Sequence, residues 1–416
     1  MIRTRIVRDA SELEALAPAW RRLLARASHP EPVLTPLWLL TWWRILGDPD
    51  GRSLRVVVVE EGDHLVGLVP LSWRSTAHLR AIPVRRVELL ATGEQEADEI
   101  CSDYVGGLAA RGREDEVAAA TARALGDGSL GDWDELRMPS MSGEDSLVPK
   151  LADALRAEGV QVAVEPSGEC PYVPLPGSWD EYLRQLGSSR RYVVTRSLRE
   201  LEKWAGQGGW RLQRASTRED LREGVRILRA LHGERWSAAG RSGVFSSERF
   251  TRFHEEVMPR MLDGEDGASL DLTWLVVRGE PIAASYGIVY GGKLYFYQSG
   301  RRVEVPKGVR PGIALHALAI RASIEAGRRE YDFLAGASRY KRELALAVRP
   351  LVTLRAVAPS VRARAVEIVR TLADRATVSC ARAVRATLSR ARAVRATHAG
   401  GPGRPAVTPA EEQTTE

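Results

Sequence analysis

Apolar positions in the second half of the chain follow two periods, which predict a series of strands and helices. Strand patterns, apolar throughout or at every second residue, occur at 272–277, 282–290, 293–299 and 330–334. Helical patterns, with apolar residues three or four apart, occur at 191–204, 217–235, 247–262 and 311–326. Gly291-Gly292 separates two of the strands and is typical of a two-residue hairpin turn.

The first half repeats this order of elements. Strand patterns occur at 54–59, 65–73, 84–90 and 133–138, and helical patterns at 11–27, 36–46, 113–125 and 147–158. Ser11 and Glu14 have the spacing of a capping box at the start of the first helix. We therefore predict an α/β (α+β) fold of two tandem units, related by duplication. Each unit should have a mixed, mostly antiparallel sheet flanked by helices.

A cluster of prolines forms a Pro-rich crossing between the two units and marks a reasonable domain boundary. The prolines are Pro166, Pro171, Pro174 and Pro176. The predicted domains are an N-terminal domain over 1–165, a C-terminal domain over 166–358 and a tail over 359–416.

The tail holds most of the net positive charge. The chain has a net charge of +6, and residues 361–416 contain ten Arg against five acidic residues. The nearly neutral body argues against a broad nucleic-acid surface. The spacing of apolar residues in the tail predicts a basic amphipathic helix, and the sequence from Gly400 onward predicts a disordered end. Peripheral contact of this helix with an anionic membrane stays open, beside a marginal, partly disordered extension.

Composition predicts a cytoplasmic protein without a metal. Three widely separated cysteines, Cys101, Cys170 and Cys380, are typical of a reducing compartment. The first residues show no signal-peptide pattern, and no apolar run approaches the ~18 residues of a membrane span. The seven His and three Cys do not cluster at metal-ligand spacings.

A basic loop at 300–310 precedes the helix at 311–326. Pro311 favours the first helical position, so the free N–H groups and the positive end of the helix point toward the loop. Residues there that can approach or neutralise a phosphate are Lys307, Gly308, Arg310 and Gly312. The pattern predicts a phosphate site, with a solvated basic loop as the alternative.

The strands on either side of this helix should lie parallel and adjacent. Strand 293–299 carries Tyr295 and Tyr297 on one face and leads directly into the basic loop. If it separates from strand 330–334 at one end, an extended ligand can pair with backbone groups in the gap. A diphosphate on that ligand would reach the helix N-terminus, and pantetheine diphosphate has this shape.

The order of elements resembles the GNAT acyltransferase superfamily. Particular segments are similar to the GNAT family associated with bacterial cellulose and exopolysaccharide biosynthesis, a tandem GNAT-like fold related to Fem-type transferases. These segments are Leu231 to Trp236, Gly308 to Gly312, Glu325 to Gly327, Tyr331 to Gly336 and Tyr340-Lys341. The resemblance covers 172–348 well and the first half weakly. It implies direct N- or O-acyl transfer from acetyl-CoA or another acyl-CoA to a small-molecule, sugar or cell-envelope precursor, without a metal.

The resemblance also implies that only the second unit binds CoA. The expected contacts are Lys307, Gly308, Val309, Arg310, Gly312 and Tyr297. The usual GNAT loop is Arg/Gln-x-x-Gly-x-Gly/Ala, and Arg310 stands where the middle glycine is usual. The first unit has no such loop between Leu90 and Arg113, so we predict a degenerate GNAT-like domain that helps to form the acceptor cleft.

Three residues are candidates for catalysis. Tyr340 follows the last strand, where GNAT enzymes often place a general acid, with a packing or contact role as the alternative. Asp332 is a candidate base or substrate anchor, or else the partner of a nearby Arg. His232 could be a base near neutral pH or a structural histidine. The candidates for acceptor binding are Arg235, Trp236 and Lys341, and Lys341 could also be an ordinary surface lysine.

Two other functions stay open. Fem-type transferases also pair two GNAT-like units, which makes an aminoacyl-tRNA-dependent peptidyltransferase one alternative. A non-catalytic CoA-binding or scaffold protein is the other, and the replaced glycine at position 310 favours it slightly.

Overall fold

The computed structural model describes residues 1–78, 82–336 and 338–372. Strands of the first half are β1 (Ile2–Val7), β2 (Ser53–Leu54), β3 (Val56–Glu61), β4 (His64–Val69), β5 (Leu71–His78), β6 (Ile82–Leu89), β7 (Leu108–Ala109), β8 (Glu135–Ser142) and β9 (Gln161–Pro174). Strands of the second half are β10 (Trp210–Arg214), β11 (Ser269–Val277), β12 (Glu280–Tyr290), β13 (Lys293–Arg301), β14 (Glu330–Asp332) and β15 (Ala347–Val357). The α-helices are α1 (Ala10–Ala15), α2 (Ala17–Leu24), α3 (Pro36–Trp42), α4 (Glu114–Gly126), α5 (Leu147–Ala157), α6 (Trp179–Gln185), α7 (Ser188–Ala205), α8 (Arg218–Ala238), α9 (Glu248–Leu262), α10 (Pro311–Glu325) and α11 (Arg339–Leu344).

The chain divides into two compact units, residues 1–363 and 364–416. In the second unit, residues 364–372 are described and are helical. The rest of the predicted tail helix and the predicted disordered end lie outside the described residues. The domain boundaries at 165 and 358 stay predictions.

One large sheet runs through both halves of the chain. Among the described residues it has eleven strands, in the order β10-β11-β12-β13-β14-β9-β15-β8-β6-β5-β2. Neighbouring strands are antiparallel except for two parallel pairs, β6 with β8 and β13 with β14. β15 joins the halves, because it pairs with β8 on one side and with β9 on the other. β1, β3, β4 and β7 form a smaller sheet.

The predicted order of elements in the second half is confirmed. β11, β12 and β13 form an antiparallel meander, α10 follows, and β14 returns parallel to β13. Gly291 and Gly292 have φ of 53° and 75° at the hairpin. Positive φ at both central residues is what the tightest hairpin turn requires, so the two glycines set the register of β12 and β13.

Most of the Pro-rich crossing belongs to the long strand β9, residues 161–174, which was not expected from the sequence. The strand accommodates prolines where its ladder is already irregular or ends. Pro166 lies at a register shift against β15, and Pro174 is the last residue of the strand. Prolines are therefore compatible with a strand here, although they are typical of loops.

Two predictions for the first half also need correction. The strand expected at 65–73 is two strands in different sheets, since Pro70 lies between β4 and β5 and has no N–H to donate. The helix expected at 11–27 is two helices, and Pro18 lies in the first turn of the second.

The predicted capping box at the first helix is wrong as well. Asp9 is the N-cap, and its carboxylate accepts hydrogen bonds from the N–H groups of Ser11 and Glu12. An aspartate two residues upstream therefore caps the helix in place of Ser11. The short strands β1, β7 and β10 and the long strand β15 were not expected from the sequence.

Helices cover both faces of the large sheet in the second half. Leu272 and Trp274 of β11 face α8 and α9, whereas Leu275 and Val277 face α7 and α10. This alternation is the period of two that a strand imposes. The two faces bring different helices to the end of β13, where the basic loop begins.

Arg349 of β15 connects the two halves through a buried polar network. Its guanidinium donates to both carboxylate oxygens of Glu330, at 3.1 and 3.0 Å, and to Asp332 at 2.8 Å. Its Nε donates to Glu144 at 2.8 Å. The Tyr104 hydroxyl donates to the same Asp332 oxygen at 2.8 Å. The network therefore holds β14 against β15 and against segments of the first half.

We expect Arg349→Met to lower the free energy of unfolding by about 3–5 kcal/mol. The buried carboxylate of Asp332 would lose its cation, and the buried carboxylate of Glu330 would keep only Lys293. Urea denaturation measures the loss. The matched control is Arg321→Met, whose ion pair with Glu325 is exposed and should contribute under about 1 kcal/mol. Equal losses in the two variants would contradict a central role for Arg349.

Candidate active site

β13 and β14 separate partway along their length. Their pairing ends at Tyr295 and Asp332, whereas β13 continues to Arg301. The edge of β13 beyond Tyr295 therefore has no β14 partner, and the gap between the two diverging strands is the opening of the candidate site. An extended ligand can pair with backbone groups along such an edge.

Asp332 turns the chain away from β13 at the opening. Its Oδ1 accepts the N–H of Leu334 at 2.7 Å, which forms an Asx-type turn. Leu334 has φ of 55°, a left-handed conformation that is unusual for this residue type. The N–H of Phe333 bonds instead to the carbonyl of Pro171 in β9, at 3.0 Å. Local hydrogen bonds thus keep the two strands apart.

The N-terminus of α10 faces this end of β13. The first hydrogen bond of the helix runs from the Ala314 N–H to the Arg310 carbonyl at 3.0 Å, which leaves the N–H groups of Gly312 and Ile313 for a ligand. No acidic residue occupies the first turn. Gly308, with φ of 93°, shapes the loop, and Val309 is buried and anchors it.

Basic side chains surround the same loop. Lys307 and Arg310 are exposed, and the Arg310 guanidinium lies 3.7 Å from the Glu343 carboxylate. Arg301 lies beside Gly312, 3.6 Å from where a Cβ would project. A diphosphate would find backbone donors, the positive end of a helix dipole and cations at one place.

The first half has a topological counterpart with different chemistry. α4 lies between β6 and β8, which are parallel, as α10 lies between β13 and β14. The first turn of α4 consists of Glu114, Asp115 and Glu116. Three acidic residues at a helix N-terminus repel a phosphate.

His232 lies deep in the wall of the opening that α8 forms. It is 1% exposed, and its Nδ1 lies 2.9 Å from the carbonyl oxygen of Ser299 in β13. Burial lowers the pKa of His232, the Ser299 carbonyl raises it in part, and Arg235 lowers it again. The imidazole is therefore neutral near pH 7.

Arg235 and Trp236 follow on the same helix. The Arg235 guanidinium lies 5.5 Å from the centre of the Trp236 ring, and Arg241 lies 5.1 Å from it on the next segment. Trp236 and His232 have ring centres 5.9 Å apart. His232, Arg235 and Trp236, which were predicted to act together, therefore lie in one cluster.

Tyr340 faces the opening from α11. Its ring stacks on His316 of α10, with ring centres 5.1 Å apart. Burial raises the pKa of Tyr340, whereas Arg235 and Ser338 lower it in part. A phenol that stays protonated at neutral pH can donate a proton, and Arg235 at the end of α8 is near enough to affect its pKa.

The other predicted site residues have structural partners. Asp332 is fully buried and paired with Arg349, which is the alternative considered for it. Tyr297 is buried; its hydroxyl donates to the Ile100 carbonyl and lies 3.1 Å from Nε2 of His254.

Lys341 is buried rather than on the surface. Its Nζ donates to the carbonyls of Leu334 and Ala335, so it fixes the turn that borders the opening. Burial lowers the pKa of Lys341, and Asp103 raises it in part.

A loop of the first half completes the opening, and sequence patterns did not single it out. Asp103 accepts the Ala335 N–H at 2.8 Å, and burial raises the pKa of Asp103 to about 6. Cys101 and Tyr104 have φ of 51° and 68°. Backbone strain from a positive φ concentrates at functional sites, but no sequence motif indicates it here. The first half thus contributes to the rim, and its part in an acceptor cleft stays a prediction.

Neither a candidate metal site nor a candidate membrane-spanning helix occurs among the described residues. Within 1–78, 82–336 and 338–372, no group of three or more His, Cys, Asp or Glu residues could hold a metal ion. No helix in these ranges is long and apolar enough to cross a bilayer.

Comparison with protein families identifies the class. Residues 188–342 match a family model described as an acetyltransferase (GNAT) domain. The matched range contains the opening, the loop before α10 and the cluster around His232. The chain therefore carries a GNAT acetyltransferase domain and is an acyltransferase. Comparison with curated proteins finds no match.

Several solved structures are similar to this chain. FemX has a TM-score of 0.55 and 10% identity, over 86% of this chain and 97% of that chain. A conserved protein of unknown function from Bacteroides thetaiotaomicron VPI-5482 has a TM-score of 0.50 and 9% identity, over 86% and 100%. A tandem GNAT protein from the clavulanic acid biosynthesis pathway has a TM-score of 0.43 and 15% identity, over 86% and 100%. Similarity to FemX along most of both chains shows a shared fold, and the predicted fold class is confirmed.

Two buried histidines give the stability of this protein a defined pH dependence. Burial lowers the pKa of His254 and of His316 to about 3, from an ordinary value of 6.5. The unfolded chain therefore takes up these protons first as the pH falls. The contribution of these two histidines to stability should be full above pH 6.5 and fall below it, by about 1.4 kcal/mol per pH unit for each histidine.

We expect His316→Gln to remove one of these two contributions between about pH 6 and 4. Urea denaturation at a series of pH values measures the slope relative to the wild type. His64→Gln, at an exposed position, is the control and should leave the slope unchanged. A wild-type slope in His316→Gln would mean that His316 is already protonated in the folded protein.

Proposed function

We propose that this acyltransferase transfers an acyl group directly from acetyl-CoA or another acyl-CoA to a small-molecule, sugar or cell-envelope precursor. The observation that carries the proposal is the opening between β13 and β14, with the N-terminus of α10 at its end. An extended pantetheine arm fits the first feature, and a diphosphate fits the second. An acceptor for bacterial exopolysaccharide synthesis is the particular case that the sequence resemblance favours.

The donor site uses backbone groups more than side chains. The N–H groups of Gly312 and Ile313 would bind the diphosphate, and Lys307 and Arg310 would neutralise it. Arg310 replaces a usual glycine, yet its side chain points to the exposed side, toward Glu343. Because the Arg310 side chain is exposed, it can neutralise charge on the diphosphate without blocking the backbone N–H groups.

Catalysis would use one base and one acid. The neutral His232 is suited to take a proton from the acceptor as the acceptor attacks the thioester carbonyl. Tyr340, whose pKa burial raises, is suited to give a proton to the departing thiolate of CoA. Asp332 and Lys341 are inferred to be positioning residues, because their partners are protein groups that shape the turn. Tyr297 is inferred to support β13 from the core.

An aminoacyl-tRNA donor is the second candidate, and one observation favours it. The exposed face of α7 carries Arg191, Arg196 and Arg199, and the Arg196 guanidinium lies 3.8 Å from where a Cβ on Gly308 would project. These cations could meet a tRNA end or the adenosine phosphate of CoA. Filter binding with charged tRNA at several salt concentrations separates the two, since tRNA binding would show a steep salt slope.

We expect Arg310→Glu to weaken acetyl-CoA binding about tenfold or more. The change replaces a cation beside the diphosphate site with an anion, and one charge-assisted contact contributes roughly 1.5–3 kcal/mol. Isothermal titration calorimetry measures the affinity. Arg321→Glu, on the same helix but three turns farther along, is the matched control. Failure of the wild type to bind any CoA thioester would refute the proposed function, and equal affinities would remove Arg310 from the site.

We expect Tyr340→Phe to lower kcat about 100-fold without a change in acetyl-CoA affinity. The variant keeps the stack on His316 and loses only the acidic hydroxyl. Release of the CoA thiol measures kcat, and calorimetry measures binding. Tyr192→Phe, at an exposed tyrosine on α7, is the control. A wild-type kcat in Tyr340→Phe would assign the proton to another donor.

A further inference from the structure

Two polar atoms near the opening are buried without a partner. They are Nε2 of His232 and Nε1 of Trp236, and no described residue forms a hydrogen bond with either. Both lie close to one point. A Cβ on Gly243 would be 2.6 Å from Nε2 of His232 and 3.1 Å from Cδ1 of Trp236, the carbon bonded to Nε1. Buried polar atoms are normally paired, so a neighbouring pair without partners points to a ligand.

The chemistry of the two atoms is determined by their surroundings. A carbonyl oxygen only accepts, so Nδ1 of His232 must donate to Ser299 and carry the proton. In the neutral imidazole, Nε2 is then a bare acceptor. The indole Nε1–H of Trp236 only donates. The site therefore presents one acceptor and one donor to the same small volume.

A hydroxyl group matches this pair. Its O–H can donate to Nε2 of His232, while its oxygen accepts from Nε1–H of Trp236. An ammonium group has no lone pair for the indole N–H, and three guanidinium groups lie around the site. Arg235 and Arg241 flank the Trp236 ring, and the pKa of Arg301 is lowered by burial first and then by Arg235. The carboxylate of Glu234 is directed to the N–H of Val303.

We propose that the acceptor of this acyltransferase is a hydroxyl group on a neutral or anionic molecule, held between His232 and Trp236, so that the product is an ester. This inference rests on the proposed function, and it adds the class of acceptor. Arg235, Arg241 and Arg301 would repel a cationic amine and tolerate an anionic acceptor.

The acceptor enters only if the segment over the pair moves. Gly243 covers both rings, and residues 239–242 before it are exposed. Gly240, with φ of 68°, lies within this segment. Movement of this segment would uncover both rings.

The transfer step balances without a further reactant. The hydroxyl oxygen attacks the thioester carbonyl carbon, and its proton passes to Nε2 of His232. The new C–O bond forms as the C–S bond breaks. The thiolate of CoA takes a proton from Tyr340, and the proton on His232 restores Tyr340 through the solvent. The products are an ester and free CoA.

Isosteric acceptors test the proposal on the full chain. D-glucose and D-glucosamine, each supplied with acetyl-CoA, differ at one position that is a hydroxyl or an ammonium group. Mass spectrometry identifies the acetylated product, and alkaline hydroxylamine separates esters, which it cleaves, from amides, which it leaves intact. We expect a hydroxylamine-sensitive product from D-glucose and much less product from D-glucosamine, because the arginines around the site repel its ammonium group. A stable amide, or transfer to neither sugar while acetyl-CoA binds, would overturn the hydroxyl assignment. Loss of acetyl-CoA binding itself would instead refute the proposed function.

Two variants separate the roles of the pair. Trp236→Phe keeps the ring and loses the donor, so we expect KM for glucose to rise about tenfold with a smaller change in kcat. His232→Gln cannot accept the proton, so we expect kcat to fall at least ~100-fold. Trp204→Phe, at a half-buried position in the last turn of α7, is the control for a tryptophan replacement. Wild-type kinetics in Trp236→Phe would overturn the assigned site.

Discussion

The buried contact between Arg349 and the carboxylates of β14 is the constraint on which the candidate active site depends. β14 is only three residues long, and its two acidic residues, Glu330 and Asp332, are both held by this one guanidinium. Because Asp332 is fixed, its free oxygen can form the turn at Leu334 that leads the chain away from β13. The opening for an extended donor is thus a consequence of an ion network that lies behind it.

The two halves of the large sheet show how one topology can support different functions. Each half has a parallel strand pair connected through a helix, α4 in the first and α10 in the second. The first turn of α4 is acidic, whereas α10 begins with proline and glycine after a basic loop. Charge at a helix terminus therefore distinguishes the half suited to a diphosphate. The first half, in which α4 begins with acidic residues, instead supplies Asp103 to the rim of the opening. It also supplies Tyr104 to the network that supports the opening.

Local sequence signals predicted helices and strands, but they could not predict contacts between residues that are far apart in the sequence. Gly291-Gly292 and Pro311 act within a few residues, so the hairpin and the start of α10 could be located from the sequence. Arg349 meets Tyr104 from 245 positions away, and no periodic pattern records such a meeting. The prolines of β9 misled for a related reason, since a bulge against β15 accommodates Pro166. His232 and Trp236 belong to a motif that the sequence shows. Only the structure shows that Nε2 of His232 and Nε1 of Trp236 are buried without partners beside Gly243.

Hydrogen–deuterium exchange of the full chain, with and without CoA, tests the central claim most directly. If the donor lies between β13 and β14 with its diphosphate on α10, CoA should slow exchange at residues 296–301 and 307–313 together. The corresponding segment of the first half, around the start of α4, should exchange at the same rate in both states. Protection around α4 alone, or no protection at 307–313 under conditions where CoA is bound, would contradict the assignment of the donor site.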